Sequence, residues 1–225
     1  EPAQGHLAAG WASGGGWPVR VRGSTVSSNA ETVLAPARAH ANGPTPQAVQ
    51  TIIDDLTAGL NGQEAAAVLY FASSRYDPTD LAGPVSAAFP RAASIGCSTA
   101  GEFTDAVSGT GGISAVALPY GILTGAIAEL GDLSSDVEAG TGAAVHALER
   151  RLQVPLRDLD PSCHLGFVLV DGLSQAEEQV NEVLGNAAPL LDVVGGSAGD
   201  DLVFNQTWVA VGDRISHRGM ALLIC

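Results

Sequence analysis

The order of apolar and polar positions divides the chain into short buried strands and amphipathic helices. Continuous apolar runs predict buried strands at 67–73 and 165–170. Apolar residues at helical spacing predict a helix that begins at Thr45-Pro46 and ends before Asn61. Strands that alternate with helices in this way are typical of an α/β architecture.

Local signals at helix ends place further helices. One opens at Asp77, and two open at capping boxes in which Ser135 and Ser174 are each followed three residues later by glutamate. A helix is also predicted over 30–41, although Pro36 lies inside it and interrupts the hydrogen-bond pattern.

Two glycine-rich stretches share a pattern. Each is an apolar run that breaks into glycines and ends in acid: SIGCSTAGE at 94–102 and VVGGSAGDD at 193–201. A shift of 194 − 95 = 99 residues aligns them, and it also aligns the strand at 68–73 with 167–172. Two matches at one offset indicate an internal repeat.

The repeat predicts a mixed α/β (α+β) domain of two similar β-α-β-β-β halves, about residues 19–155 and 161–225. Residues 1–18, rich in Gly and Ala, are expected to be a flexible tail, and 19–22 a strand. In the first half, the strand at 68–73 should pair in parallel with residues 94–96 because the helix between them serves as the crossover. The halves should pack as an αββα sandwich or share one mixed sheet.

Charge and composition narrow the list of functions. The 225 residues include 24 acids and 10 cations, all of them Arg, for a formal net charge of −14. This balance disfavours nucleic acid and anionic membranes as partners. The lack of lysine removes the lysine of a nucleotide-binding P-loop and any Schiff-base lysine. Usage rich in Ala and Gly and free of Lys indicates a bacterial genome.

Other features predict a cytoplasmic protein without membrane insertion. The longest uncharged stretch, 106–128, is broken by glycines and Pro119 and predicts a strand hairpin rather than a membrane span. The N-terminus shows no signal-peptide pattern. Three cysteines without CxxC spacing fit a reducing compartment.

The glycine-rich stretches are the main candidates for ligand binding. A strand that ends in such a loop lets a ligand approach backbone N–H groups closely. The alternative interpretation is a tight turn, in which glycine is needed only because the backbone has positive φ. Neither stretch matches a nucleotide-binding motif. We expect a ligand between the two loops, with its carboxylate on backbone N–H groups and its ammonium on an acid. The candidate residues are Gly96, Cys97, Ser98, Thr99, Gly101, Glu102, Asp171, Gly195, Gly196, Ser197, Gly199 and Asp200.

No catalytic residue and no metal site is predicted. Cys97 is interpreted as a packing residue, because its repeat partner is Gly196 and no histidine lies nearby in sequence. The acids lack the alternation of a calcium loop, and the five histidines form no ligand pairs at helical or strand spacing.

Four stretches together resemble the FIST N domain: 68–73, 95–102, 169–173 and 193–200. The pair GCSTAGE and VGGSAGD, in this order, is fairly specific, and the likeness covers roughly 19–225. The resemblance implies an intracellular sensory module of signalling proteins that binds a small ligand, such as an amino acid or a similar metabolite, and passes the signal to a partner.

Two alternatives stay open. The resemblance implies no obligatory cofactor, but some family members bind haem and respond to nitric oxide, so a haem sensor is the first alternative. An enzyme that uses Cys97 is the second. The family's usual companion, a FIST C domain, is lacking in this sequence, and the signalling output is therefore open.

Overall fold

Two β-sheets face each other, and each carries two helices on its outer side. The computed structural model describes residues 34–225, which form this αββα sandwich. The strands are β1 (Ala37–Asn42), β2 (Ala65–Ser73), β3 (Ala93–Thr99), β4 (Glu102–Phe103), β5 (Ser108–Gly109), β6 (Gly112–Pro119), β7 (Ile127–Asp132), β8 (Gly166–Asp171), β9 (Val193–Ala198), β10 (Val209–Val211), β11 (Arg214–Ser216) and β12 (Gly219–Ile224). The helices are α1 (Thr45–Leu60), α2 (Thr79–Ala88), α3 (Val137–Leu152) and α4 (Glu177–Ala187).

The first four strands of the six-stranded sheet and the four strands of the other sheet have the same arrangement: two antiparallel pairs are followed by one parallel pair. The six-stranded sheet runs β1-β6-β2-β3-β10-β11, and the four-stranded sheet runs β7-β12-β8-β9. As predicted, β2 pairs with β3 in parallel across α2. Strand β8 likewise pairs with β9 in parallel across α4. The four-stranded sheet begins with β7, so β7 and α3 lie on the second sheet although they precede residue 155. The common order is what an internal repeat would produce, and superposition of the halves remains its test.

Three apolar layers hold the sandwich together. One lies between α1, α2 and the six-stranded sheet, a second between α3, α4 and the four-stranded sheet, and a third between the two sheets. Helix α1 follows its sequence pattern closely: its inward side chains are Ala48, Val49, Ile52, Leu56 and Leu60. It ends where Asn61 adopts a left-handed conformation at φ 49°.

Several local predictions were wrong. Residues 37–42 form strand β1 rather than part of a helix, with Ala37, Ala39 and Ala41 buried in alternation. Residues 30–33, the strand predicted at 19–22 and the tail at 1–18 lie outside the described residues. The hairpin predicted over 106–128 does not form, because β6 and β7 belong to different sheets. None of the helices between residues 34 and 225 is long and apolar enough to cross a membrane.

The two predicted capping boxes are also not formed. Helix α3 is capped by Asp136, whose carboxylate accepts the N–H of Ala139 at 2.9 Å, one residue beyond the predicted Ser135. The hydroxyl of Ser174 instead donates to the carbonyl of Asp171 at 2.5 Å, and α4 starts three residues later. The helices were therefore predicted correctly and their caps were not.

Candidate functional site

The first glycine-rich stretch is a strand and not a loop. Gly96, Cys97 and Ser98 all lie within β3, and Gly96 does not have positive φ. A Cβ atom at Gly96 would be 2.1 Å from Cε2 of Tyr70, which pairs with Gly96 from β2. The glycine is thus required for the close approach of an aromatic ring, and the interpretation of Gly96 as a turn glycine with positive φ was wrong.

The second stretch is likewise a strand. Gly195, Gly196 and Ser197 lie on β9, which among the described strands pairs only with β8 and forms an edge of its sheet. A Cβ atom at Gly195 would be 1.7 Å from the carbonyl oxygen of Val168, whereas one at Gly196 would meet nothing within 4 Å. The hydroxyl of Ser197 donates to the Glu177 carboxylate at 2.5 Å. Gly195 is therefore needed for strand pairing, and Gly196 faces open space.

The ends of the two stretches meet, as the sequence predicted for the two loops, but they touch directly. The N–H of Gly199 donates to the carbonyl of Ser98 at 2.9 Å, and the N–H of Asp201 donates to the carbonyl of Thr99 at 3.2 Å. A Cβ atom at Gly199 would be 3.0 Å from the nitrogen of Ala100. One strand end from each sheet is joined here, and the N–H groups of Gly199 and Asp201 serve that junction.

Asp200 organises the loop beyond this junction. Its carboxylate accepts the N–H groups of Phe204 at 2.9 Å, Asn205 at 2.5 Å and Gln206 at 3.0 Å. Burial raises the pKa of Asp200, but these backbone hydrogen bonds outweigh burial and hold the pKa below its usual value. The loop residues Asp201, Leu202 and Phe204 have positive φ (56°, 64° and 57°). The carboxylate therefore stabilises a backbone that is otherwise unfavourable for these residue types.

The other candidate acids also have internal partners. Asp171 accepts the Thr207 hydroxyl and, at 3.1 Å, the N–H of Leu173. Glu102 accepts the Thr99 hydroxyl and, at 2.8 Å, the N–H of Gly112. Both carboxylates are buried, at 3% and 2% exposure, whereas Gly101 beside Glu102 is exposed. These acids connect strand ends, and a ligand ammonium would have to compete with protein donors for them.

Cys97 faces the layer between the two sheets. Its side chain is 2% exposed, among residues such as Leu169 and Leu223 of the opposite sheet. Burial raises the pKa of its thiol to about 12. At neutral pH the group is a protonated thiol, which is a poor nucleophile.

The sequence did not identify a group of polar atoms on the opposite side of β3. The hydroxyls of Tyr70 and Ser94 and the indole N–H of Trp208 are buried and have no hydrogen-bond partner among residues 34–225. All three lie on the helix-facing side of the six-stranded sheet, since Tyr70 and Trp208 belong to its outer core and Ser94 pairs with Val68 of the same core. We call these three residues the β3 polar group.

The three residues of the β3 polar group lie near Gly96 on the same side of the sheet. Tyr70 crosses Gly96 from β2, Ser94 lies two residues earlier on β3, and Trp208 exchanges hydrogen bonds with Ser98. The Tyr70 and Trp208 ring centroids are 6.3 Å apart. The sequence signal that could have indicated this group is the alternation of small residues along β3, at Ser94, Gly96 and Ser98. Small residues at every second position leave room above one face of a strand.

Helix α2 lies over the same apolar layer. Its inward side chains Leu81 and Val85 belong to the core that contains Tyr70 and Trp208. Pro84 lies inside this ten-residue helix and lacks the N–H that would bond to the preceding turn.

Burial, with a smaller effect of Cys97, raises the pKa of Tyr70, so its hydroxyl stays protonated and available as a donor.

The described histidines differ in their surroundings. His40 bonds the Ser114 hydroxyl, His146 pairs with Glu149, and His164 bonds the carbonyl of Asp160. His217 lines an open cleft of about 430 Å³ between the β7 and β11 edges, and its Nδ1 lies 3.0 Å from the carbonyl of Thr207. The other lining side chains include Leu130, Ile215, Asp132 and Arg218.

Of the described histidines, His217 is the one that would best hold a haem, because it lines this cleft; His164 also has a backbone bond at Nδ1 but lies outside the cleft. A backbone bond at Nδ1 fixes the ring of a ligating histidine and leaves Nε2 to bind. The part of the chain that the structure describes contains no group of three or more His, Cys, Asp or Glu side chains placed to hold a metal ion.

Comparison with known proteins assigns the family. The chain has no match among curated proteins. The sequence model of the FIST N domain matches residues 66–225, which is 225 − 65 = 160 of the 225 residues and includes both glycine-rich strands. The FIST N domain is a sensory and signal-transduction domain family, and the chain belongs to it.

Proposed function

We propose that this FIST N domain senses a small uncharged metabolite that binds to the β3 polar group beneath α2 and passes the signal to a partner. The observation that carries the proposal is that three neighbouring residues on the helix-facing side of β3 and its partner strands, Tyr70, Ser94 and Trp208, each bury a polar atom without a partner among the described residues. Nearly all buried polar groups in proteins are paired, and each unpaired one costs about 1–3 kcal/mol. A ligand that supplies hydrogen-bond acceptors would remove this cost.

The surroundings define the class of ligand. The Trp208 N–H is a donor only, and the two hydroxyls can donate or accept. The core around them consists of apolar side chains such as Leu81 and Val85. The buried acids of the described residues, Glu102, Asp171 and Asp200, already accept hydrogen bonds from other protein groups. A zwitterionic amino acid would bring two charges without countercharges into this layer, which is costly. An amide, ketone or lactone with an apolar body fits the group better.

Binding would act through α2. A ligand above β3 has to displace this short helix, and a displaced surface helix is a change that a partner can recognise. The proposal retains Gly96 and Ser98 of the predicted site residues. It assigns the second stretch, with Asp171, Gly199 and Asp200, to the junction of the two sheets.

A thermal-shift screen tests the proposal. Uncharged metabolites are compared with amino acids, since a compound that binds the folded state raises the melting temperature. Tyr70→Phe should abolish the shift while the unliganded variant stays at least as stable, because an unpaired hydroxyl is removed. Tyr120→Phe changes a hydroxyl at the surface and should keep the shift. An undiminished shift in Tyr70→Phe would place the site elsewhere.

The haem alternative is supported by His217 alone. When bound, haem would supply an iron centre for a diatomic gas, and His217 would hold it from the wall of the cleft. The absorption spectrum of the purified domain after haem addition tests this: a Soret band should disappear in His217→Ala and persist in His146→Ala. A band that persists in both variants counts against His217.

We propose no enzymatic activity, because the burial of Cys97 argues against a nucleophile. A cytoplasmic location is likewise our proposal. All three cysteines lie in the described residues and are free thiols, as is usual in a reducing compartment.

A further inference from the structure

The two large sheets end in four outer strands, and three of these are protected against pairing with another strand. Strand β1 carries Arg38, which pairs with Asp105 of the β4–β5 connection at 2.5 Å. Strand β7 is covered by Arg151 of α3, whose guanidinium donates to the carbonyl of Ala128 and to the carboxylate of Glu129, both at 2.8 Å. Strand β11 has only three residues. Charged side chains and short length are the usual protections of sheet edges.

The fourth outer strand, β9, has no such protection from the residues that the structure describes. Its six residues, VVGGSA, include no charge and no proline. Val194 is 47% exposed, and Gly195, Gly196 and Ser197 are also exposed. An exposed, uncharged edge of this length is a template for another strand.

The hydrogen-bonding groups of β9 alternate between its two sides. The carbonyl of Asp192 accepts the N–H of Gly166 on the β8 side. In a parallel ladder successive residues point their N–H and C=O groups to opposite sides. Val193, Gly195 and Ser197 therefore turn three N–H and three C=O groups to the open side.

An apolar surface lies next to this edge. Strand β9 contacts β3 of the opposite sheet, and the six-stranded sheet continues beyond it with β2 and β6. The side chains of Phe71, Val116 and Leu118 on these strands are only partly buried. A fifth strand beside β9 would cover them.

Acidic residues flank β9 at both ends. Asp192 is exposed immediately before the strand, and Glu177 and Asp201 are partly exposed near its other end. A second copy of this chain would bring the same acids to both ends of an antiparallel β9 pair, and each copy has a net charge of −14. Like charges in these places oppose self-pairing.

We propose that β9 is the docking edge for an extended strand of a partner protein, with uncharged residues along the strand and basic residues at both ends. Backbone hydrogen bonds to Val193, Gly195 and Ser197 provide affinity, and apolar side chains on one face of the added strand cover Phe71 and Val116. The acids at the two ends select the basic flanks.

Peptide binding tests this proposal. The probe is the fluorescently labelled peptide Arg-Thr-Val-Thr-Val-Thr-Arg, and the same core flanked by Glu is the charge control. Ser197→Pro removes one outward N–H without disturbing the ladder with β8, and Ser197→Ala removes only the hydroxyl. We expect the Arg-flanked peptide to bind the wild type and Ser197→Ala alike, and Ser197→Pro at least tenfold more weakly.

Amide hydrogen exchange provides an independent readout. The bound peptide should protect the amides of Val193, Gly195 and Ser197, while those of Val194 and Gly196 are already protected by β8. The peptide N-methylated at every residue should not bind, which tests strand pairing even if Ser197→Pro fails to fold. Equal binding of the Glu-flanked or N-methylated peptide, or no binding at all, would overturn the proposal. Concentration-dependent dimers that Ser197→Pro abolishes would assign the edge to a second copy instead.

Discussion

The ring of Tyr70 lies against the backbone of Gly96, so close that a Cβ atom there would be 2.1, 2.4 and 2.4 Å from three of its carbons. This contact explains why a glycine is required in the middle of an extended strand. The Tyr70 side chain lies in the apolar layer beneath α2, and its hydroxyl has no partner among the described residues. One packing contact therefore links the glycine-rich stretch to the proposed ligand site.

Gly96→Ala should destabilise the protein by about 3 kcal/mol, because the new methyl group overlaps a ring that the core holds in place. Urea unfolding measures this change. Gly196→Ala is the matched control, since nothing lies within 4 Å of its Cβ position, and it should alter stability by less than about 0.5 kcal/mol. Equal stability of the two variants would contradict the role assigned to Tyr70.

Thr207→Val should cost about 2–3 kcal/mol, since it removes the hydroxyl that pairs with the buried Asp171 carboxylate. Thr207 precedes β10 of the six-stranded sheet and Asp171 ends β8 of the four-stranded one, so the pair joins the two sheets. Thr207→Ser keeps the hydroxyl, so its free energy of unfolding should fall by less than half as much as that of Thr207→Val. Thermal or urea unfolding measures both changes. If both variants lose the same amount, the missing methyl contact rather than the hydrogen bond is responsible.

Much of the fold could be predicted from the sequence, because it depends on periodicity. The apolar spacing of α1 and the continuous runs of β2 and β8 give their elements directly, and parallel pairing follows from a helix between two strands. The conformation around Gly96 could not be predicted. It depends on Tyr70, which lies 26 residues earlier in the sequence (96 − 70). A glycine that is required by a close aromatic ring cannot be distinguished in the sequence from a glycine that is required by a turn.

The candidate site shows the same limit. Asp171 and Asp200 do lie at or just beyond strand ends, as predicted, but their hydrogen-bond donors come from residues 173 and 204–207. Positive φ occurs at Leu202 and Phe204, not at the glycines of either stretch. Residue propensity does not predict positive φ at these two positions, since apolar residues disfavour that conformation. The hydrogen bonds of the Asp200 carboxylate help to offset the cost.

The three cysteines should differ in their reaction with iodoacetamide at pH 8. Cys163 is exposed and should react first. Cys97, with a pKa raised to about 12 by burial, has about one part in ten thousand of thiolate at this pH and should react only in urea. Mass spectrometry of the labelled peptides measures both. Labelling of native Cys97 as fast as Cys163 would show an accessible thiolate and revive the enzyme alternative.

The contribution of Asp200 to stability should depend on pH. Its folded-state pKa lies below the usual value because three backbone N–H groups bind the carboxylate, although burial acts in the opposite direction. A depressed folded pKa means that this stabilisation is complete above the unfolded pKa, about 3.9. It is lost as the pH falls through the folded value.

Asp200→Ala should therefore lower the free energy of unfolding by about 2 kcal/mol at neutral pH, and the difference from wild type should narrow below about pH 4. Asp213→Ala changes an exposed carboxylate outside the loop and should leave stability nearly unchanged. Urea unfolding between pH 3 and pH 7 measures these differences, and amide exchange at Phe204, Asn205 and Gln206 should accelerate in Asp200→Ala only. A difference that grows as the pH falls would mean that the carboxylate is destabilising when ionised, because its burial would then outweigh the three hydrogen bonds.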